Sequence, residues 1–131
     1  MDENRIAAEI VDAAIAIHRS LGPGLLESVY ETVLARELAL RGLRVARQVP
    51  VPIKYQDLQF EEGFRADLIV DDLVIVELKS LEALHPVHPK QLLTYLKLSD
   101  RRLGLLLNFG AGLMREGIVR IVNRLPDAVV A

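Results

Sequence analysis

The chain has 131 residues, no cysteine and a formal net charge of −2; 51% of its residues are hydrophobic and only 5% are aromatic. This length predicts a single domain over residues 1–131. The lack of cysteine excludes disulfides, thiolate zinc sites, a cysteine nucleophile and cysteine-ligated iron–sulfur clusters. The slightly acidic charge also differs from the basic charge of proteins that grip nucleic acid through many phosphates.

The N-terminal sequence and the hydropathy bear on location and assembly. The acidic start, Met1 to Asn4, has no signal peptide after it, which predicts a cytoplasmic protein. The longest nearly uncharged run, 103–114, is too short to span a bilayer, so we expect no membrane association. The apolar surplus on so small a domain favours extra burial in a homo-oligomer, and we expect a homodimer.

Two helices are predicted before the first strand. Apolar residues recur every three to four positions from Asn4 to Leu21, which predicts a helix, and its alanine-rich faces predict cover on more than one side. Gly22-Pro23-Gly24 ends this helix. A second helix is predicted from about Leu25 to Arg41, with Gly42 at the position of a C-terminal glycine cap.

Three strands follow in the pattern. The first, Leu43 to Ile53, alternates, and its two prolines indicate an edge or bulged strand. After a turn at Tyr55 to Leu58, the second strand runs from Phe60 to Val70, and after Asp71-Asp72 the third runs from Leu73 to Lys79. Strict alternation places the apolar residues of the first strand on one face: Leu43, Val45, Val49, Val51 and Ile53. In the second strand it places Phe64, Ala66 and Leu68 on one face and Arg65, Asp67 and Ile69 on the other.

The remaining elements complete a mixed architecture. They are a third helix at about Lys90 to Leu98, introduced by Pro86 and Pro89, a doubly buried strand at Leu103 to Phe109, a loop at Gly110 to Gly117 and a last strand at Ile118 to Val122. The order α, α, β, β, β, α, β, β predicts a mixed central sheet with helices against it, an α/β fold at the border of α+β.

Three charged residues lie inside apolar runs that are typical of strands: Asp67, Glu77 and Lys79. Buried charges are costly unless they are paired or metal-bound. Because Glu77 and Lys79 are two positions apart, both point to one face of their strand. Two carboxylates and a lysine held on a sheet are what a divalent metal and an attacking water need at a phosphodiester bond. The alternative is an ordinary solvated sheet face.

The connection between the second and third predicted strands decides whether Asp67 points to the same face of the sheet as Glu77 and Lys79. A two-residue turn at Asp71-Asp72 would put Asp67 opposite Val76, on the wrong face. A three-residue connection pairs Asp67 with Glu77, and a bulge restores the same face. We therefore predict an odd connection or a bulge.

Several other polar residues have both a functional and a structural interpretation. Glu27 lies in the first turn of the second helix, where an acid also favours the helix dipole. Gln91 and Tyr95, four apart on the third helix, either bracket the site or belong to an amphipathic helix with a half-buried tyrosine. His85 and His88 each directly precede a proline, which is typical of loop histidines near the mouth of a site.

Basic residues are also candidates for phosphate contacts. Four arginines form either a solvated face or a modest basic track for a nucleic-acid backbone: Arg36, Arg41, Arg44 and Arg47. Arg65, on the face predicted for Asp67, is a candidate to pair with it or to bind phosphate. Gly110-Ala111-Gly112 lacks the lysine and hydroxyl of a phosphate loop and is discounted.

Segments in this chain resemble the motifs of one family. Gly24-Leu25-Leu26-Glu27-Ser28-Val29-Tyr30 resembles the signature of the GxxExxY proteins, small members of the PD-(D/E)xK nuclease superfamily. Asp67 followed by Glu77-Leu78-Lys79 resembles that superfamily's D…(E)xK core. Gln91-Leu92-Leu93-Thr94-Tyr95 resembles the QxxxY motif of its RecB-type and lambda-exonuclease-type branch. The resemblance covers nearly the whole chain and implies a restriction-endonuclease-like αβββαβ core with an extra N-terminal helix.

The resemblance implies a role for each matching residue. Asp67, Glu77 and the backbone carbonyl of Leu78 would hold Mg²⁺ or Mn²⁺. Glu27 would complete or support the metal shell, directly or through water, and Lys79 would orient or activate the attacking water. Gln91 and Tyr95 would position the substrate.

The expected activity is therefore Mg²⁺-dependent hydrolysis of phosphodiester bonds in nucleic acid, with DNA as the expected substrate. One alternative is a catalytically inactive homo-oligomeric scaffold or nucleic-acid-associated module that keeps the fold, which the negative net charge and the few aromatic residues favour. Another is a regulatory protein that binds a small phosphorylated ligand through Lys79, Arg65 and Gln91. A partner protein for targeting is an additional expectation for so small a domain.

Overall fold

The computed structural model of this protein describes residues 1–126. Its elements are α1 (Glu3–Leu21), α2 (Glu27–Leu40), β1 (Val45–Tyr55), β2 (Leu58–Val70), β3 (Val74–Lys79), α3 (Val87–Leu98), β4 (Leu103–Asn108), a 3-10 helix (Met114–Gly117) and β5 (Ile118–Val122). The predicted order of helices and strands is confirmed. The third helix begins at Val87 rather than at about Lys90, and the 3-10 helix lies within the segment predicted as a loop.

The five strands form one mixed sheet in the order β1-β2-β3-β4-β5. The pair β3–β4 is parallel and the other neighbouring pairs are antiparallel. A parallel pair needs a long crossover, and α3 provides it between β3 and β4. Three helices with this sheet confirm the α+β assignment and place the carboxyl ends of β3 and β4 at the same edge of the sheet.

The two faces of the sheet carry separate hydrophobic cores. α1 and α2 cover one face, where Ile10, Leu34, Val76 and Leu105 belong to the larger core. α3 covers the other face, where Leu92 and Leu96 pack with Ile75 and Leu106 in the smaller core. Consecutive residues of β3 and β4 therefore alternate between the two cores, as expected of strands that are buried on both sides.

Strands β1 and β2 do not alternate regularly, which contradicts the single apolar face predicted for each. In β1, Val45 packs into the core under α1 and α2, whereas Val49, Val51 and Ile53 pack into the core under α3. In β2, Leu68 belongs to the first core, whereas Ala66 and Phe64 belong to the second. The two strands change their inward face at the same level of the sheet, because Gln48 in β1 interrupts the pairing there with a left-handed φ of 49°.

The long first helix is covered on one broad face only. Ile6, Ile10, Ala14 and Ile17 are buried, whereas Ala8 and Ala16 remain exposed. The cover expected on more than one side is thus not provided within residues 1–126, and the homodimer stays a prediction. Within the same range no helix combines the length and apolar character that crossing a membrane requires.

The tyrosine of the Gly24-Glu27-Tyr30 motif is part of the core. Tyr30 is fully buried and its ring stacks on Phe109 at 4.4 Å between centroids. Its hydroxyl donates a hydrogen bond to the Gly22 carbonyl at 2.5 Å and accepts one from the Leu25 backbone N–H at 3.1 Å. The tyrosine therefore fixes the loop between α1 and α2 and so the start of the second helix.

Replacing that hydroxyl tests this role. We expect Tyr30→Phe to keep the stacking on Phe109 but to lower the free energy of unfolding by about 0.5–1.5 kcal/mol, because the Gly22 carbonyl and the Leu25 N–H lose their partner. Urea denaturation followed by circular dichroism measures the change. Tyr55→Phe, at a tyrosine that is 65% exposed, is the matched control; equal losses for the two variants would contradict the role.

Candidate active site

The connection between β2 and β3 sets the geometry of the charged residues. Val70 pairs with Val74, so residues 71–73 form a three-residue connection, which confirms the odd connection predicted from the sequence. Continued along the two strands, this register places Asp67 opposite Glu77. The acids therefore lie on neighbouring strands at the same level of the sheet.

Asp67 is held by a hydrogen bond to each carboxylate oxygen. Its Oδ2 accepts from the Leu78 backbone N–H at 2.9 Å, and its Oδ1 accepts from Gln48 Nε2 at 3.3 Å. Because Leu78 would lose its acceptor, an Asp67→Ala variant would disturb the strand as well as the charge. Asp67→Asn, whose amide oxygen can still accept, is the better probe of the charge.

Glu77 is the most unusual side chain of the site. It is only 9% exposed, and its Oε1 is a buried oxygen without a hydrogen-bond partner within residues 1–126. Burial and, next, the neighbouring Asp67 carboxylate raise the pKa of Glu77 to about 9, while Lys79 opposes the shift. A buried acid beside a second acid is costly by itself, and a cation between them would remove both penalties.

The donor set fits a hard divalent cation. Two neighbouring carboxylates, one of them with an orphaned oxygen, supply the oxygen ligands that Mg²⁺ and Mn²⁺ prefer. The residues that would hold the ion are Asp67, Glu77 and, through its carbonyl, Leu78. Across the described residues no three His, Cys, Asp or Glu side chains are grouped closely enough to hold a metal, so Glu27 stands outside the pair of acids.

The starts of α2 and α3 lie near the end of β3. Lys79 ends β3 and is half-buried, and Glu27 begins α2 and is exposed. His88 lies near both: burial and the Lys79 and His85 charges lower the pKa of His88, and the Glu27 charge opposes them. Its Nδ1 accepts from the His85 backbone N–H at 3.2 Å, so the neutral ring carries its proton on Nε2.

The third helix brings its tyrosine to the acids. Tyr95 is half-buried and stacks on Phe64 with centroids 4.0 Å apart. Burial, Glu77 and Asp67 raise the pKa of Tyr95, which places its hydroxyl within their field. Gln91, one turn earlier, is exposed.

Most of the arginines that were candidates for phosphate contacts form ion pairs with acidic side chains of the protein. Arg65 forms its ion pair with Glu62 at 2.7 Å rather than with Asp67. Three of the four arginines proposed as a basic track are also paired: Arg41 with Glu9, Asp12 and Glu37, Arg44 with Asp71, and Arg47 with Glu31. The track is therefore largely neutralised.

The loop that follows Lys79 is fixed by three contacts. Asn108 Oδ1 accepts from the Leu81 N–H at 2.9 Å, and Asn108 Nδ2 donates to the Leu81 carbonyl at 3.0 Å. Ser80 Oγ donates to the Leu25 carbonyl at 2.6 Å. These bonds tie the end of β3 to the end of β4 and to the start of α2, so the backbone that carries Lys79 is rigidly held.

Gly110 is required by this arrangement. A Cβ at Gly110 would lie 2.2 Å from the Leu81 carbonyl oxygen and 2.5 Å from the Leu81 nitrogen, and backbone atoms cannot rotate away. We expect Gly110→Ala to displace residues 80–81 and to lower the free energy of unfolding by about 1–3 kcal/mol. Urea denaturation measures it beside Gly112→Ala, where no atom lies within 4 Å; a neutral Gly110→Ala would show that the loop yields easily.

Sequence reasoning missed two residues that shape the site, Gln48 and Asn108. Gln48 donates to both Asp67 and the buried Glu31, and Asn108 closes the loop after Lys79. The signals were a polar residue inside an alternating strand and an asparagine ending a buried apolar run. Neither signal identifies the residue that Gln48 or Asn108 binds, because each of those binding partners lies 17 or more positions away in the chain.

A cavity of about 460 Å³ lies at the opposite ends of β3 and β4. The charged residues that line it are already in ion pairs: Arg101 with Asp72, Arg102 with Glu3, and Arg124 with Asp100. We therefore assign it no ligand.

Comparison with known proteins gives a family match for this chain. The family model of the PD-(D/E)XK nuclease superfamily matches residues 4–121, which include both acids and Lys79. Neither the curated proteins nor the solved structures gave a match. Nucleases of this superfamily generally use divalent metal ions, and the superfamily implies nucleic-acid binding. Because the match spans most of its length, the chain belongs to the PD-(D/E)XK nuclease superfamily.

Proposed function

We propose that this protein is a Mg²⁺- or Mn²⁺-dependent nuclease that hydrolyses phosphodiester bonds in DNA. The observation that carries the proposal is the buried Glu77, with an orphaned oxygen, opposite Asp67 and two residues before Lys79. Membership of a nuclease superfamily supports the reaction class. The specific family of GxxExxY proteins, DNA as the substrate, Mg²⁺ as the natural ion and the homodimer are parts of the same proposal.

The residues of the proposed site have different roles. Asp67, Glu77 and the Leu78 carbonyl hold the ion. When bound, a divalent ion polarises the phosphate and lowers the pKa of a coordinated water. Lys79, on the same face of β3 as Glu77, orients the attacking water and offsets the charge that develops on the phosphate.

Other residues guide the substrate. The Tyr95 hydroxyl, in the field of the two acids, and the exposed Gln91 one turn away contact the nucleic acid beside the scissile bond. Glu27 would support the bound ion from outside the pair of acids. Arg65 contributes to phosphate binding only if its ion pair with Glu62 opens.

A non-catalytic scaffold or nucleic-acid-associated module is the second candidate. It is favoured by the net charge of −2, by the paired arginines and by the absence, within residues 1–126, of a third grouped metal ligand. Such a protein would keep the fold and bind a partner without cutting.

A cleavage assay separates the two candidates. Purified protein is incubated with end-labelled single-stranded DNA, double-stranded DNA and RNA, each with Mg²⁺, Mn²⁺ or EDTA. We expect cleavage of DNA that requires the metal, that Glu77→Gln abolishes and that Glu61→Gln, at an exposed glutamate of β2, leaves unchanged. Cleavage that survives Glu77→Gln would contradict the assignment of Glu77 to the active site, and no cleavage of any substrate would favour the scaffold.

A further inference from the structure

Gln48 has a backbone conformation that is unusual for its position. It lies within β1 and has a φ of 49°, in the left-handed region, which glutamine seldom adopts. Its neighbours Arg47 and Val49 pair with Leu68 and Ala66, so Gln48 stands opposite Asp67. Strain of this kind persists where surrounding contacts over-determine it, and it concentrates at functional sites.

The conformation brings two adjacent side chains to one acid. On a regular strand Arg47 and Gln48 would point to opposite faces. Here both bind Glu31: Arg47 donates to its Oε2 at 3.0 and 3.2 Å, and Gln48 Nε2 donates to its Oε1 at 2.5 Å. The left-handed turn at Gln48 is what allows this departure from alternation.

The second N–H of the Gln48 amide serves the site. The amide carries two donors, and Nε2 also lies 3.3 Å from Asp67 Oδ1. Glu31 is buried, and the Arg47 guanidinium offsets its charge, so Glu31 acts as a fixed anchor behind the amide. The bonds form a continuous chain from Arg47 through Glu31 and Gln48 to Asp67.

A neutral donor suits an acid that must bind a cation. A lysine or arginine at this place would neutralise Asp67 and compete with a metal, whereas an amide fixes the carboxylate and leaves its charge available. With Leu78 N–H on Oδ2 and Gln48 on Oδ1, the rotation of the Asp67 carboxylate is set from both sides.

We propose that Gln48 is a positioning residue that orients the Asp67 carboxylate for the metal ion, and that Glu31 and Arg47 hold Gln48 in its left-handed conformation. This role rests on the proposed metal-dependent function. Hydrogen-bond partners behind metal ligands commonly alter metal affinity by about 10–100-fold when they are removed, so Gln48 controls affinity for the ion rather than the chemical step.

Two variants of Gln48 separate positioning from backbone strain. Gln48→Gly accepts the positive φ without cost but removes the amide. Gln48→Asn also tolerates this conformation, but its side chain is one methylene shorter and cannot reach both acids. Gln56→Gly is the matched control, because Gln56 has the same residue type and a φ of 55° in the turn between β1 and β2.

Calorimetric titration with Mn²⁺ and urea denaturation are measured on all four proteins. We expect Mn²⁺ to bind the Gln48→Gly and Gln48→Asn variants at least about tenfold more weakly than the wild type. The Gln56→Gly variant keeps wild-type affinity. Saturating Mn²⁺ should return the cleavage rate of the Gln48 variants towards that of the wild type, and urea denaturation without metal shows whether each variant is folded before the ion is added.

The possible failures are distinguishable. If the folded Gln48→Asn or Gln48→Gly variant binds Mn²⁺ as tightly as the wild type, the positioning role is overturned while the metal site stands. If the wild type itself binds no Mn²⁺, the proposed function fails and the positioning role fails with it.

Discussion

Glu77→Gln is expected to make the metal-free protein more stable at neutral and alkaline pH. The folded-state pKa of Glu77 is about 9, far above its ordinary 4.5, so the unfolded chain loses this proton first. Below the ordinary value both states keep the proton and there is no penalty. Between the two values each pH unit lowers the free energy of unfolding by about 1 kcal/mol, and the loss is complete above the folded-state pKa.

The Glu77→Gln variant has no carboxyl group to titrate at this position, so the difference in free energy of unfolding between the variant and the wild type grows with pH. Near pH 5 we expect the two proteins to have similar stability, and at pH 8 we expect the variant to be more stable by about 2–4 kcal/mol. Urea denaturation in EDTA from pH 5 to 9 measures the difference. Glu61→Gln, at an exposed position of β2, should follow the wild type; parallel curves for wild type and Glu77→Gln would show that Glu77 titrates normally.

A saturating metal offsets most or all of that difference. An ion that binds only the folded wild type adds about 3 kcal/mol of stability at a concentration one hundred times its dissociation constant. The Glu77→Gln variant lacks one of the two carboxylates and should gain little. Repeating the denaturation at pH 8 with Mn²⁺ in place of EDTA tests this selective gain with the same proteins.

Lys79→Met is expected to abolish cleavage while leaving the metal site intact. Lys79 shares a face with Glu77 and opposes the rise of its pKa, so it lies close enough to act on groups at the metal without being a ligand. Loss of a donor or cation aimed at the transition state typically costs about 100–1,000-fold in rate. Methionine keeps most of the aliphatic length and so preserves packing.

Single-turnover cleavage rates and Mn²⁺ titrations of the same samples measure the two effects separately. The wild type and Lys54→Met, at an exposed lysine of β1, are the comparisons. We expect a loss of at least about 100-fold in rate for Lys79→Met, with Mn²⁺ affinity close to that of the wild type. Wild-type cleavage by Lys79→Met would remove Lys79 from the chemistry.

Regular elements and one connection were predictable because local patterns determine them. The 3–4 spacing of α1 is typical of a helix, and the short apolar run of β4 is typical of a strand that is buried on both faces. An odd connection or a bulge after Val70 followed from the requirement that Asp67 and Glu77 share a face, and the structure has a three-residue connection there. In each case residues close in sequence carried the information.

The irregular part of the sheet was not predictable in the same way. Gln48 adopts a positive φ because Glu31, in α2, and Asp67, in β2, bind its amide, and these partners are distant in sequence. The resulting change of face moved Val49 and Ala66 to the core under α3. The ion pairs of the arginines were equally hard to predict from the sequence, because Arg41 binds acids of both α1 and α2.

The most direct test of the account is calorimetric titration of the wild type and of Glu77→Gln with Mn²⁺ at pH 7, in two buffers with different heats of ionisation. We predict binding by the wild type with release of protons, because Glu77 holds a proton at this pH and must lose it to bind the ion. Glu77→Gln should show no binding. Equal Mn²⁺ binding by both proteins, or none by the wild type, would contradict the assignment of Asp67 and Glu77 as the metal site.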